Sequence, residues 1–205
     1  MDFASLRASN ARYALVLSLL SGMSCLQDTS FAATAVDADD ALKLCEAETL
    51  PKDIRDTLGR RFYGWKVQDS SNLLPNARQK WAALAPLACP GIASGHFEES
   101  RSVSYALLLV PTERSANGYK FVVFSAPPGQ SFYGFKMLDQ AAINASALFI
   151  HSVTVDRAFD SALKKQFRPK GSDVILLAYT DDKTASQNIF YFKGDSYDHA
   201  QVDFN

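Results

Sequence analysis

The sequence predicts an α+β protein: short N-terminal helices packed on a twisted antiparallel sheet of about five to seven strands, with one further helix before the last strands. Three observations carry this expectation. In the N-terminal part, as far as Leu84, apolar residues recur at helical spacing. From Val103 onward, runs rich in β-branched and aromatic residues alternate with clusters of Pro, Gly, Asn and Ser. A single i, i+4, i+8 stripe, Phe159, Leu163 and Phe167, interrupts those runs.

The chain opens with Arg7 and Arg12, an apolar run from Tyr13 to Leu20, and then small and polar residues. This is the order of a secretory signal peptide. The run is well short of the ~20 residues that span a bilayer core, so no transmembrane anchor is expected. Small residues stand one and three places before a cut at Ser30-Phe31-Ala32 and again at Ala33-Thr34-Ala35. The reading is therefore residues 1–32 as signal peptide, with an alternative cut after residue 35, and residues 33–205 as one globular domain in a periplasmic or secreted setting. Cys25 opens a second route, the acylated cysteine of a bacterial lipoprotein, for which Ser24 fits. Gly22 stands where such signals carry a large aliphatic residue, which weighs against a lipid anchor at Cys25.

Two cysteines remain in the mature chain, Cys45 and Cys89, and an even count in an oxidising compartment reads as a disulfide. Such a bridge would contribute ~3–4 kcal/mol on the chain-entropy account.

The helical part comprises Ala41 to Ala47, then a helix opened by Pro51 and stopped by Gly59, then one from Pro75 through Trp81 and Leu84. Strands are expected at Val103–Val110, Tyr119–Ser125, Phe132–Leu138 and Ala147–Val155. After the Phe159–Phe167 helix come Val174–Tyr179, Asn188–Lys193 and Tyr197–Phe204, the last two joined by a turn at Gly194-Asp195.

Charge narrows the function. The leader removes two acids and two bases, so the mature domain keeps the formal net charge of −1 of the whole chain. Nucleic-acid binders need an excess of Lys and Arg against phosphate, and none is present. His96, His151 and His199 stand in three different segments without ligand spacing, so no metal or other cofactor is expected. His151, alternating with Phe149 and Val153, reads as a core histidine. Asp198 and His199 are strand neighbours whose side chains leave opposite faces, which disfavours a dyad. Gly129-Gln130-Ser131 lacks the second glycine of a nucleophile elbow, and the adjacent Glu98 and Glu99 read as a solvated loop rather than as glycosidase acids. No catalytic residue is assigned.

Two aromatic clusters remain: Phe62, Tyr63 and Trp65, and Phe132, Tyr133 and Phe135. Alternation sends half of each toward the core and leaves Tyr63 and Tyr133 as the expected exposed members. Tyr63, Trp65, Phe132 and Tyr133 are the candidate binding residues.

The segment Cys89-Pro90-Gly91-Ile92-Ala93-Ser94-Gly95-His96-Phe97-Glu98, continuing to Leu108, resembles a single degenerate FG-GAP repeat, the integrin-propeller-type calcium loop, as found in exported bacterial proteins of unknown function. The resemblance implies a loop-to-strand shape and a periplasmic setting. His96, Ser100 and Ser104 stand where that pattern has acids, leaving Glu98 alone, and calcium needs about six to eight oxygens. The resemblance thus implies the shape without the metal.

The reading that results is an exported, non-catalytic binding protein acting on another envelope or secreted protein, as an inhibitor or immunity factor does. The alternatives are an envelope-directed hydrolase, with acids or His151 gathered in a cleft, and an envelope structural protein.

Overall fold

The computed structural model describes residues 44–46, 49–85, 87–98, 102–113, 116–127, 129–181 and 183–202. The expected signal peptide, Cys25 and the start of the helix expected at Ala41 lie outside the described residues. Leu44–Glu46 form a turn rather than a helix.

Among the described residues nine strands form two antiparallel sheets. The first holds β1 (Trp65–Val67), β2 (Ile92–Gly95), β3 (Ser104–Pro111), β4 (Tyr119–Ser125) and β5 (Gly134–Ala141). The second runs in the order β6 (Leu148–Thr154), β7 (Asp173–Thr180), β8 (Ala185–Lys193) and β9 (Ser196–Val202). Among the described residues four α-helices accompany them: α1 (Lys52–Arg61), α2 (Pro75–Leu84), α3 (Val155–Ala158) and α4 (Ser161–Phe167).

Two features of the expected α+β architecture are corrected. The described strands form two sheets, of five and four strands, rather than one of five to seven, and the helices do not form an N-terminal layer, because β1 separates α1 from α2 and α3 and α4 follow β6. The packing explains both corrections. Ala106, Leu108, Val110, Phe121 and Val123 of the first sheet meet Leu148, Ile150, Ile175, Leu177 and Phe190 of the second in a shared core. The opposite face of the first sheet, Leu107, Leu109, Val122 and Phe124, receives Ile54 and Phe62 of the α1 region. The opposite face of the second is covered at one end by Ala77 and Trp81 of α2. At the other it is covered by Phe159, Leu163 and Phe167 around α3 and α4. The described residues are therefore layered helix, sheet, sheet, helix.

The two sheets are stitched along one side. β1 and β2 lie end to end on the same edge of β3, pairing with Leu109–Pro111 and Ser104–Leu107 respectively. At the joint, the Leu108 carbonyl accepts from Gln68 N (2.8 Å) and the Leu108 N–H donates to the Gly91 carbonyl (2.9 Å). The Gln68 side chain, fully buried, crosses to the second sheet. Its Nε2 donates to the carbonyls of Ala145 (2.8 Å) and Leu148 (3.2 Å), and its Oε1 accepts from Asn72 Nδ2 (2.7 Å). A buried amide is tolerated only when satisfied, and this one spends its hydrogen-bonding capacity on linking the two sheets. Ile150 N donating to the Pro90 carbonyl (2.8 Å) and Asp173 N to the His96 carbonyl (3.2 Å) extend the seam.

Close backbone approach at the seam requires glycine. A Cβ on Gly91 would lie 2.4 Å from the Gln68 carbonyl oxygen, and one on Gly171 would lie 2.2 Å from that of Phe97. Cys45 and Cys89 are bonded, with Cα atoms 5.0 Å apart. Cys89 Sγ lies 3.4 Å from the Gln68 carbonyl oxygen, so the bridge ties the N-terminal segment to the joint.

Two stability predictions follow from this seam. Gln68→Leu leaves the Ala145 and Leu148 carbonyls without their buried donor and should cost about 3 kcal/mol in urea unfolding, whereas the exposed Gln130→Leu should cost nothing measurable. Replacing both Cys45 and Cys89 by Ser, across a separation of 44 residues, should lower stability by about 4 kcal/mol on the chain-entropy account, read as a lower urea midpoint.

Candidate binding surface

The surface is organised by α1. Pro51 precedes its first turn, and Ile54 is fully buried against the first sheet. Asp53 near the N-terminus and Arg60 and Arg61 near the C-terminus suit the helix dipole. Gly59 does not stop the helix, which continues two residues further to Arg61. Asp53 Oδ2 accepts from Tyr133 N (2.8 Å), which pins the segment before β5 to the start of α1.

A cleft flanks α1 on either side. The first, of about 650 Å³, lies between α1 and β1 and is lined among others by Arg55, Leu58, Phe62, Tyr63 and Trp65, with Cys45 at its margin. Tyr63 is 92 % exposed at this cleft. Trp65 is half-buried under Lys120, whose Nζ lies 4.8 Å from the ring centroid. The second cleft, of about 600 Å³, is lined by Thr57, Arg60, Arg61, Tyr133 and Phe135.

Of the four candidate binding residues, Tyr63 and Trp65 thus share one cleft and Tyr133 lines the other. Phe132, 59 % exposed, stands beside Tyr133 in the chain. The expected exposed member of this second cluster differs from the one found. Tyr133 is half-buried, packed edge-on against Tyr105 with ring centroids 5.6 Å apart, and Phe132 takes the solvent-facing position. The irregular backbone before β5 defeats the simple alternation used to place them.

Among the described residues β5 pairs only with β4, as an edge strand. Phe135 and Met137 lie opposite Phe124 and Val122, on the α1 side of the sheet, and both stay about two-fifths exposed. Lys136 turns to the other face. There it bonds Glu98 (3.1 Å) and lies over the Phe192 ring (4.7 Å). Arg55, Arg60, Arg61 and Met137 were not legible as site residues, because only the juxtaposition of α1 and β5 gives them neighbours.

The titratable groups are dispersed. His96 follows β2, and its N–H donates to Asp173 Oδ2 (2.9 Å). His199 stacks on Phe190 (5.5 Å) on the inner face of β9, while Asp198 accepts from the Tyr191 hydroxyl (3.1 Å) on the outer face. Strand alternation therefore separates the adjacent pair. Burial, with Asp198 as second cause, pushes the Tyr191 hydroxyl up to about 12. The Asp198 carboxyl is held below the usual range first by the His199 N–H. Among the described residues, no group of three His, Cys, Asp or Glu is placed to hold a metal ion. Glu98 is paired with Lys136, and residues 99–101 of the calcium-loop-like segment lie outside the described residues.

No protein-family model matches the chain, and neither a curated protein nor a solved structure is significantly similar to it.

His151 lies opposite Leu176, on the helix-covered face of the second sheet, and its Nε2 is buried without a hydrogen-bond partner. Burial, opposed by the Ser152 backbone and reinforced by Arg157, lowers its pKa. The unfolded chain then takes up a proton that the folded one resists. This histidine's contribution to stability is full above about pH 6.5 and declines as pH falls toward the depressed folded value. His151→Gln should flatten the slope of unfolding free energy between pH 7 and 5, measured by urea titration at each pH.

Proposed function

We propose that this protein is an exported, non-catalytic binding protein that engages another envelope or secreted protein through the α1–β5 face, as an inhibitor or immunity factor does. The observation that carries the reading is the combination on that face of a strand edge left unpaired among the described residues with apolar side chains left in solvent. Phe132, Phe135 and Met137 are 59, 42 and 40 % exposed, and Arg60 and Arg61 share the adjoining cleft with Tyr133 and Phe135.

An edge strand presents unspent N–H and C=O groups that an extended segment of a partner can pair with, and alternate side chains of that segment then meet the flanking pockets. On the α1 side those pockets offer apolar contact to Phe135 and Met137 and cations at Arg60 and Arg61. The fitting partner segment is therefore an extended strand that alternates apolar and acidic residues. Burying the exposed part of each aromatic contributes about 1 kcal/mol, and the arginines supply steering and register.

Export is supported by the leader-like N-terminus and by the Cys45–Cys89 bridge. No helix among the described residues is long and apolar enough to cross a membrane. The balanced charge gives no footing for nucleic acid.

Affinity capture with the mature, disulfide-bonded protein on the source organism's envelope and secreted fractions should retain one stoichiometric polypeptide. The R60E/R61E/F132S variant should retain at least tenfold less of it, and Leu87→Ser, a change to another exposed apolar residue, should retain it undiminished. Equal retention by all three proteins would remove the α1–β5 face from the account.

A further inference from the structure

The first cleft carries two features that the fold does not need. Arg55, Leu58 and Gly59 of α1 and its C-cap residue Phe62 follow one another at i, i+3, i+4 and i+7, and all four line this cleft. Arg55 lines this cleft half-buried, and its Nε is buried without a hydrogen-bond partner among the described residues. A desolvated guanidinium donor with nothing to bond is a cost to the folded state. Gly59 is the second feature. It lies inside a helix, where glycine is less favourable than alanine, yet a Cβ at this position would meet nothing within 4 Å. Close packing does not demand the glycine. Its effect is to leave open the space beside Arg55.

The other walls are apolar and aromatic, formed by Leu58, Phe62, Trp65 and Val67. Glu46 and Asp69 also line the cleft, and Lys66 is spent on Asp69 at 2.8 Å. Among the described residues that line the cleft, Arg55 is thus the cation left to receive an anion. The two acids oppose a dianion such as a phosphate ester more strongly than a single carboxylate.

From these features we infer that the cleft between α1 and β1 binds an amphiphilic monocarboxylate, its carboxylate on Arg55 and its apolar or aromatic body lying over Gly59 between Leu58, Phe62 and Trp65. Two unfavourable local choices on one wall of one cleft are the signature of stability given up for binding. This site is separate from the β5 edge, and either can fail alone. The ligand chemistry is shared by a free aryl-alkyl acid and by the C-terminal carboxylate of a polypeptide ending in an apolar residue.

The test is an NMR titration of the mature, disulfide-bonded protein, following the Arg55 Nε–H and Trp65 indole N–H signals. The probes are 3-phenylpropanoate, its neutral amide, and the tripeptide Ala-Ala-Phe with a free or an amidated C-terminus. Saturable shifts of both signals with the carboxylates, and at least tenfold weaker binding of the amides, are expected. Binding of the tripeptide alone identifies a chain terminus as the source, whereas comparable binding of 3-phenylpropanoate shows that a free acid suffices. Arg55→Gln should weaken binding at least tenfold with Tm unchanged or raised. Gly59→Leu should fill the cleft and abolish binding while raising Tm, a pairing that a purely structural role for these residues does not give. Absence of saturable shifts, equal affinity for acids and amides, or unaltered binding by Arg55→Gln would each overturn the assignment.

Discussion

The buried amide of Gln68 is the constraint on which the rest of the layering depends. Its backbone N–H closes the joint between β1 and β2 on the edge of β3, while its side chain reaches the carbonyls of Ala145 and Leu148 at the entry to β6. One residue therefore fixes both the composite edge of the first sheet and the docking of the second. Gly91, with no room for a Cβ against the Gln68 backbone, and Cys89, covalently tied to Cys45, hold the same joint from the other strand. Edges that face one another along this seam have their backbone groups partly spent. β5 and β9, at the outer ends of the two sheets, keep a row of theirs unpaired among the described residues.

That asymmetry connects architecture to function. β9 carries Asp198, occupied by Tyr191, and its inner face is closed by the stacking of His199 on Phe190. β5 instead leaves Phe135 and Met137 partly in solvent beside the cationic end of α1. A sheet whose edge is neither covered nor charged outward is an invitation to pairing. Lys136, the residue that would blunt this edge, is drawn inward onto Glu98 and Phe192. The helix that covers the centre of the first sheet also walls two clefts, so a single ten-residue element serves the core with Ile54 and the surface with Arg55, Arg60 and Arg61.

Much of the strand content was legible because strand periodicity survives in composition. Tyr119–Ser125 is found with the bounds expected, and the Gly194-Asp195 turn joins β8 to β9 as its sequence requires. The pairing of Cys45 with Cys89 was legible as an expectation from the even cysteine count left once a leader is set aside, and the two are bonded. β1 and β2 escaped notice, being three and four residues long and pinned by tertiary hydrogen bonds rather than by pattern. The second sheet was hidden for a different reason. Ala106 to Val110 and Val174 to Ala178 are buried on both faces, and strands covered on both sides read as continuous apolar runs, the same signal that a single thick core produces. The candidate surface was legible only as isolated aromatics. Tyr63 was expected to be exposed and is, but Arg55, Arg60 and Arg61 acquire meaning only once α1 is laid beside β1 and β5, which no local pattern encodes.

Hydrogen exchange of the mature protein with and without its captured partner tests the central claim most directly. Protection that appears on alternate amides of β5 and along Arg60–Phe62, with β9 and the helix-covered face of the second sheet unchanged, is the predicted result. Protection confined to β9 or to the α2–α4 side, or none on β5, would contradict the assignment of function to the α1–β5 face.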